Sequence, residues 1–431
     1  MQFCFSGVTR CAAAGILSCV VVVSLAGPVA TLLAQEVSAG DWPWWRGPQR
    51  NGLVQEGTPP TRFGAGENIR WKAKVPGRGH SSPIVIGDQI FLATADESQQ
   101  TQSVLAYSLG DGRLLWSQEI SRGGFPQNNH RKNTEASSTI ASDGERLFVT
   151  FFHHRQIQLT ALGLDGSQQW QRSAGPFNPK KYEYGYAPSP VVYQGFVIVA
   201  TEWDGESAIT AFNRNTGRPA WRTPRPANIT FSTPVIANVS GRDQLFLSGS
   251  NQVASYDPTN GRPLWVVPGT TAATCGTMIW EGNVVFASGG YPKAETIAVR
   301  ADGSRQIVWR NQQKCYEQSM IVVDGFVYGL TDKGVLYCWR ANDGREMWRE
   351  RLAGPVSASP VLAGGHIYWA NERGSWFVFK PNPEAFELVA ENRLGDEVFA
   401  SPAVVKDEMI VRVAGSEGGI RQEYLICISQ D

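Results

Sequence analysis

One pattern recurs eight times along the chain and constrains its fold more than any other feature. A serine or threonine step, often followed by proline, opens a valine-rich run, and further apolar runs follow before the next step. The steps are Ser82-Pro83, Ser138-Thr139, Ser189-Pro190, Thr233-Pro234, Thr277-Met278, Ser319-Met320, Ser359-Pro360 and Ser401-Pro402. Repeats of roughly 40 to 56 residues, each with room for four short strands, predict the blades of a β-propeller.

A turn and a tryptophan mark the end of most repeats. In six of them an Asx-Gly or Thr-Gly pair, which suits a tight hairpin, comes shortly before a tryptophan. These tryptophans are Trp116, Trp170, Trp221, Trp265, Trp309 and Trp348. Since the position recurs in blades that could not all hold a ligand, we interpret it as packing between adjacent blades.

The two ends of the repeat region complement each other. The seventh repeat has Glu387-Leu388-Val389 in place of the turn and tryptophan, and the eighth contains only three apolar runs. The missing fourth run stands before the first step, at Ile69 to Lys74. The sequence therefore predicts an all-β, eight-bladed β-propeller of four-stranded antiparallel blades. Its ring is closed by pairing the N-terminal strand with the C-terminal blade, and Trp71 takes the eighth tryptophan position.

The first 35 residues differ from the rest. Arg10 is their only charged side chain, and an uncharged apolar stretch runs from Cys11 to Ala34. We interpret residues 1–35 as a signal peptide or an N-terminal anchor, and residues 41–431 as a single propeller domain. Ile16 to Cys19 resembles a lipoprotein cleavage box, an alternative that would leave Val20 to Val23 at the mature N-terminus. We expect export to the periplasm or cell envelope, with membrane contact only through this segment if it is uncleaved.

Charge and cysteine content narrow the function classes. Lys plus Arg (39) equals Asp plus Glu (39), so the chain lacks the cationic surplus of nucleic-acid binders. Outside the export segment only Cys275, Cys315, Cys338 and Cys427 remain, which is no disulfide framework. Cys275 and Cys315 lie near the starts of successive repeats and could form a bridge, but two separate thiols are favoured.

The repeat resembles a known family. Leu336 to Trp348 is similar to the pyrroloquinoline quinone (PQQ) repeat of quinoprotein dehydrogenases and of the outer-membrane assembly factor BamB. Three further stretches, Trp42 to Pro48, His130 to Ser138 and Tyr186 to Pro190, resemble exported PQQ-like propellers of planctomycete-type bacteria. The resemblance predicts the fold well and the function poorly.

The resemblance implies two function classes. Quinoprotein dehydrogenases bind PQQ in the central funnel, with Ca²⁺ and an Asp base. Their alcohol-oxidising members stack an adjacent Cys-Cys disulfide on the cofactor and ligate the metal with Glu, Asn and Asp. This chain has no Cys-Cys pair and no matching ligand set. The second class, similar to BamB, is a non-catalytic scaffold.

The densest polar stretch lies in the connection that enters the second blade. It contains His130, Lys132, Asn133 and Glu135, which could bind a ligand or partner near the channel or form a solvated loop. A second candidate is Trp203 with Asp204, which could hold a cation, although a hairpin tip is the favoured interpretation.

The sequence favours no catalytic and no metal site. His153 and His154 follow a strand, so we expect their rings to face opposite sides and to share no metal. The hypothesis is therefore a monomeric, exported scaffold without a cofactor, which binds a protein or cell-envelope partner. The alternative is a PQQ- and calcium-dependent dehydrogenase, or a small-ligand binder, that uses the funnel.

Overall fold

A computed structural model describes residues 37, 38 and 40–430. In this part of the chain the secondary structure consists of strands, which form eight four-stranded antiparallel sheets, and it has no helix that could span a membrane. The predicted eight-bladed propeller is confirmed. The predictions for residues 1–35 concern residues outside the described part.

The strands follow one another around the ring. In chain order they are Ile69–Val75 (β1); in blade 1, Ile84–Ile86 (β2), Gln89–Asp96 (β3), Thr101–Ser108 (β4), Leu114–Arg122 (β5); in blade 2, Ala141–Ser142 (β6), Arg146–His153 (β7), Gln156–Gly163 (β8), Gln168–Pro176 (β9); in blade 3, Val191–Tyr193 (β10), Phe196–Thr201 (β11), Ala208–Asn213 (β12), Pro219–Pro224 (β13); in blade 4, Val235–Val239 (β14), Arg242–Gly249 (β15), Gln252–Tyr256 (β16), Pro263–Pro268 (β17); in blade 5, Ile279–Glu281 (β18), Val284–Gly289 (β19), Glu295–Arg300 (β20), Ile307–Asn311 (β21); in blade 6, Ile321–Val323 (β22), Phe326–Leu330 (β23), Val335–Arg340 (β24), Glu346–Arg351 (β25); in blade 7, Val361–Ala363 (β26), His366–Ala370 (β27), Ser375–Lys380 (β28), Glu387–Arg393 (β29); and in blade 8, Ala403–Val405 (β30), Glu408–Glu417 (β31), Ile420–Ile428 (β32).

Blade 8 is completed by β1. This strand pairs antiparallel with β32, and Trp71 lies opposite Cys427 in the register. The sheet order β1-β32-β31-β30 confirms the predicted closure, which leaves no unpaired edge between the first and last blades.

The hydrophobic core lies between blades. The second and third strands of a blade are buried on both faces, whereas the outermost strand alternates with solvent-exposed positions, as β3 and β5 show. Each cluster of buried side chains joins neighbouring blades, as where Phe91 of blade 1 shares a cluster with Val149 of blade 2. A blade therefore cannot bury its apolar faces alone, and the ring is the unit of stability.

The repeat tryptophans lie at these interfaces. The indole N–H of Trp71 donates to the backbone oxygen of Leu109, at 2.9 Å, in the third-to-fourth-strand turn of blade 1. A Cβ added at Gly112 would lie 2.5 Å from the Trp71 ring, so the turn needs glycine there. Equivalent bonds to the next blade are made by Trp116, Trp170, Trp309 and Trp348. Trp265 donates instead to Gln244 of its own blade, and the N–H of Trp221 has no partner.

The serine and threonine steps form a ring of hydroxyl groups around the channel. The amide N–H of one step residue donates to the step hydroxyl of the next blade at 2.8 to 3.1 Å. The ring residues are Ser82, Thr139, Ser189, Thr233, Thr277, Ser319, Ser359 and Ser401. In blade 2 the ring residue is thus Thr139, one position after the predicted start of the step. Ser138 instead bonds the hydroxyl of Thr150, at 2.7 Å.

Residues 41–58, which we call the crossing segment, lie across one face of the ring. The segment begins at blade 1, where Trp42 exchanges backbone hydrogen bonds with Val85. It ends at blade 8, where the amide of Thr58 donates to Asp407, at 2.7 Å. Close approach requires Gly57, since a Cβ there would collide with the backbone oxygen of Lys406. The crossing segment contacts turns between the first and second strands of the blades, so it lies on the face of the ring that holds those turns.

Between these ends the crossing segment bonds five further blades. The backbone oxygen of Pro43 accepts from Ser142 of blade 2, and Arg50 donates to the Val192 oxygen of blade 3. The Trp45 indole N–H donates to the Thr277 hydroxyl of blade 5, at 2.9 Å. Arg46 donates to the Met320 oxygen of blade 6, and Val54 pairs with Leu362 of blade 7. Seven blades are therefore held by hydrogen bonds to one short segment.

Blade 7 lacks the repeat tryptophan, and another part of the chain fills the space. Ala390 occupies the tryptophan position, opposite Val378 in the register. The chain just before β1 lies alongside, where the Phe63 amide donates to the Asn392 side chain and the Phe63 ring packs edge-on against Trp376. Phe63, which lies outside the repeat, therefore replaces the missing indole at the interface between blades 7 and 8.

Candidate functional site

The channel opens into a cavity on the face opposite the crossing segment. It has a volume of about 280 Å³. Its walls come from connections between blades, which supply His130, Tyr184 and Tyr316, and from the loop after β19, which supplies Tyr291. Trp45 of the crossing segment and five hydroxyl-ring residues also line the cavity. The cavity is therefore built from most of the ring.

Lys132 reaches across the channel. Its ammonium group donates to Glu372, in the loop after β27, at 2.7 Å, and to both carboxylate oxygens of Glu317, at 3.1 and 3.2 Å. The Ser357 hydroxyl lies within hydrogen-bond distance of both carboxylates and can donate its one proton to either. Burial lowers the pKa of Lys132, but the two carboxylates outweigh that effect and raise it above its usual value. Lys132 thus stays charged and is held by two acids.

The two histidines of the cavity are held neutral. Burial lowers the pKa of His80 well below its usual value, and the positive charges of Arg78 and Arg412 lower it further. Burial, followed by Lys132, lowers the pKa of His130. The His80 ring stacks on Phe399 with centroids 4.2 Å apart, and the His130 ring contacts Tyr184, at 4.7 Å. At neutral pH these rings serve as aromatic walls rather than cations.

The structure brings three of the sequence-predicted site residues together and separates the other three. His130, Lys132 and Asn133 line the cavity. The Asn133 amide donates to the Tyr184 backbone oxygen, at 2.6 Å, and so fixes the wall. Glu135 lies outside the cavity lining and accepts a bond from Asn129, at 2.6 Å. Its burial raises its pKa to about 7.

Trp203 and Asp204 lie in the loop between β11 and β12, outside the cavity lining. Asp204 accepts from the backbone amides of Lys180 and Lys181, each at 2.9 Å, and so anchors the connection to blade 3. The Trp203 N–H donates to the Glu206 oxygen within the same loop, at 3.1 Å. These contacts give both residues a structural role at a hairpin tip.

The adjacent histidines behave differently from the sequence expectation. His153 ends β7, but His154 has a φ of 48° and begins the turn. The strand alternation therefore stops between them, and their rings meet with centroids 4.3 Å apart. The prediction that they face opposite sides was wrong because the strand ends at His153 and His154 already has the positive φ of the turn.

The cavity does not suit a quinone that carries several carboxylates. Among its lining residues, which all lie in the described part, Lys132 is the one Lys or Arg, and two carboxylates already hold it. Within residues 37, 38 and 40–430, no group of three or more His, Cys, Asp or Glu side chains is placed to bind one metal ion. The lining thus offers the quinone carboxylates one cation that is already engaged, and we derive no step through PQQ or Ca²⁺. The described cysteines are free, and burial raises the pKa of the Cys275 thiol well above its usual value.

Sequence reasoning missed the acidic partners of Lys132 and the aromatic walls. Glu317 and Glu372 lie 185 and 240 positions from Lys132 in the chain. No local motif links such distant residues. The one available signal was topological: in an eight-membered ring, connections half a ring apart face each other across the channel.

Comparison with known proteins supports the fold and one family. A family model described as outer membrane protein assembly factor BamB matches residues 64–173, 100–350 and 321–382. The chain is 24% identical over 384 residues to an outer membrane protein assembly factor BamB of Burkholderia pseudomallei, covering 75% of this chain and 91% of that protein. It is 25% identical over 162 residues to a BamB of Alkalilimnicola ehrlichii, covering 37% of this chain and 36% of that protein.

Solved structures with the same fold include both function classes. A europium-containing methanol dehydrogenase superposes with a TM-score of 0.65 at 10% identity, covering 91% of this chain and 98% of that chain. BamB from Moraxella catarrhalis superposes with a TM-score of 0.59 at 13% identity, covering 82% and 98%. At such identities the likeness shows the fold alone.

Proposed function

The chain belongs to the family of the outer membrane protein assembly factor BamB, and from that premise we propose that it is a non-catalytic scaffold of the cell envelope. Its partner is a protein of the outer-membrane assembly machinery. The proposal includes export to the envelope and a monomeric propeller that uses the cavity face for binding.

The observation that carries the proposal is the pair of exposed tyrosines at the cavity mouth. Tyr184 and Tyr291 are 37% and 48% exposed although they lie among aromatic neighbours. Tyr182 contacts both rings, at centroid distances of 5.9 and 5.2 Å. Grouped, rigid tyrosines at a surface are typical of protein-binding sites, because they add large contact area at low entropic cost.

The chemistry of the cavity supports a non-catalytic role. A general base near neutral pH needs a free side chain with a suitable pKa. Here the Lys132 ammonium is held by two acids, both histidines have lowered pKa values, and the Cys275 thiol has a raised one. These groups hold fixed protonation states at neutral pH.

Site-specific photo-crosslinking in the source cells tests the proposal. A photoreactive residue replaces Tyr291 at the mouth or, as a control, Leu114, which is 43% exposed beside the third-to-fourth-strand turn of blade 1. We expect position 291 to crosslink a component of the outer-membrane assembly machinery and position 114 not to. Equal crosslinking from both positions, or no adduct containing that machinery, would contradict the proposal.

The dehydrogenase alternative, whose fold this chain shares, is tested separately. The purified protein is incubated with PQQ and Ca²⁺, and cofactor retention and dye reduction with alcohols and sugars are measured. We expect neither, because Lys132 is unavailable to the quinone carboxylates. Stoichiometric retention with turnover would overturn the scaffold proposal.

A further inference from the structure

The hydroxyl ring has an unused hydrogen-bonding capacity. Seven ring hydroxyls accept a backbone N–H from the preceding blade, and the eighth, Thr277, accepts the Trp45 indole N–H. Within the described residues, none of the eight donates its own proton to a protein acceptor within hydrogen-bond distance. All eight residues are buried. Because a buried donor without an acceptor is unfavourable, these O–H groups must donate to something inside the channel.

Five of these donors belong to the cavity itself. Ser82, Thr139, Ser189, Thr233 and Thr277 line it, whereas Ser319, Ser359 and Ser401 do not. Above them stand the aromatic side chains Tyr184, Phe231, Tyr291, Tyr316 and Phe399. The cavity therefore combines convergent O–H donors at its base with flat apolar surfaces on its walls.

Charge decides between ligand classes. The cluster contains one ammonium group, Lys132, and two carboxylates, Glu317 and Glu372, while His80 and His130 are neutral at neutral pH. An anion would be repelled by the Glu317 and Glu372 carboxylates, because the one ammonium group, Lys132, is already paired with them. A cation would find no excess of acceptors at the hydroxyl base, whose O–H groups need acceptors themselves. A neutral molecule that carries both acceptors and donors matches both ends of the cavity.

The size of the cavity and the direction from which it is open restrict the class of ligand further. The volume of about 280 Å³ is many times the roughly 10 to 15 Å³ that one water molecule needs. Trp45 closes the base, so a ligand enters from the open face. Ring-shaped molecules with an apolar face can stack on the walls, whereas an open chain cannot.

We propose that the channel cavity binds a neutral pyranose sugar, with sugar oxygens accepting from the hydroxyl ring and a sugar face packed on the aromatic walls. The hydroxyl base of this site contains neither Tyr184 nor Tyr291, the two tyrosines proposed to bind protein, so substitutions at the base test sugar binding separately. Loss of sugar binding would therefore leave the crosslinking result unchanged, and the two proposals can fail separately.

Calorimetric titration of the full mature protein tests the ligand class. The probes are glucose, galactose, N-acetylglucosamine and maltose, with glucuronate, glucosamine and sorbitol as anionic, cationic and open-chain counterparts. We expect at least one neutral pyranose to bind more tightly than its charged and open-chain counterparts. No pyranose binding at tens of millimolar, or tighter binding of glucuronate, glucosamine or sorbitol, would overturn the proposal.

A matched pair of variants locates the site. Ser189→Ala and Ser359→Ala each remove one interblade hydrogen bond of the same kind, but only Ser189 lines the cavity. Ser189→Ala should weaken sugar binding about threefold to tenfold, while Ser359→Ala leaves it unchanged. Equal weakening by both would show a general effect of the ring and contradict the assignment. Chemical-shift changes of the bound sugar protons give a second readout if either variant is less stable.

Discussion

At the residue scale, equivalent positions in the repeat differ in burial and in hydrogen bonding. Trp71 is 9% exposed and donates to Leu109, whereas Trp221 is half-buried and its N–H has no partner. Because both positions hold tryptophan, the sequence does not reveal this difference. The energetic role of each tryptophan depends on how the next blade's turn is placed.

The first prediction compares these two tryptophans. Trp71→Ala should lower the free energy of unfolding by about 3 to 5 kcal/mol, the usual loss for a buried tryptophan. Trp221→Ala should lower the free energy of unfolding by less, since the Trp221 side chain buries less surface and its indole N–H makes no hydrogen bond. Denaturant unfolding measures both, and Trp71→Phe against Trp221→Phe isolates the hydrogen bond, worth about 1 kcal/mol. Equal costs for the two sites would show that the indole N–H contact is unimportant.

The second prediction concerns Glu135. Its pKa is raised to about 7 in the folded protein, so the folded state binds more protons than the unfolded state between its ordinary value and about 7. Stability should therefore decrease as the pH rises through this window. Glu135→Gln keeps the acceptor for Asn129 and should remove the decrease, raising stability by about 1 to 3 kcal/mol at pH 8.

Unfolding midpoints at pH 5 and pH 8 test the second prediction. Glu119→Gln, which changes an exposed carboxylate on β5, serves as the control. If Glu135→Gln and Glu119→Gln change the pH dependence to the same extent, the Glu135 carboxyl is not the group responsible.

Residue-level roles were only partly predictable from the sequence. The turn glycines and tryptophans recur at equivalent places in six repeats, so their shared position is recognisable from the order of residues alone. The raised pKa of Glu135 is not, because it depends on burial by distant parts of the chain. Lys132 was recognised as a candidate, but its two acidic partners lie in other connections of the ring.

At the scale of elements, the crossing segment is the largest feature that the repeat could not predict. Trp42 to Pro48 stood out as a motif, yet it lies before the first blade and belongs to no repeat. The contacts of the crossing segment are spread over seven blades, so no local pattern in any one blade reveals them. A segment that bonds seven blades can hold their relative positions in a way that pairwise interfaces cannot.

The third prediction removes this segment. Deletion of residues 41–58 leaves β1 and the ring intact but should lower the thermal midpoint by several degrees, because interblade bonds and the Trp45 base are lost. Differential scanning calorimetry measures the change, with deletion of residues 37–40 as the control. An unchanged midpoint would show that the segment only covers the face.

At the scale of the whole molecule, β1 joins the two ends of the repeat region into one closed ring. The number of blades, their strand content and this closure were all predictable, because a four-run repeat with three runs at one end and one at the other has a single simple solution. Phe63 at the last interface was not, since it replaces a tryptophan from outside the repeat. The sequence therefore predicts the ring better than the details of its seam.

The fourth prediction extends the deletion through residue 74. Removing β1 leaves β32 with an unpaired edge and removes the contacts that Trp71 makes with the first blade. We expect loss of a single sharp unfolding transition and association of the truncated chain, in contrast to the shorter deletion, which should stay monomeric. Size-exclusion chromatography with light scattering compares the two. A monomeric, fully cooperative long deletion would contradict closure as the source of cooperativity.

The pairing of β1 with β32 also sets an order of events in the life of the protein. The strand that is synthesised first waits for one made at the far end of the propeller, and until then both edges are free to pair with other chains. Under the proposed export, a chain in this state needs protection during passage. We therefore expect that chaperone dependence ends when β32 becomes available, and that slowing synthesis of the final blade promotes aggregation more than slowing any earlier one.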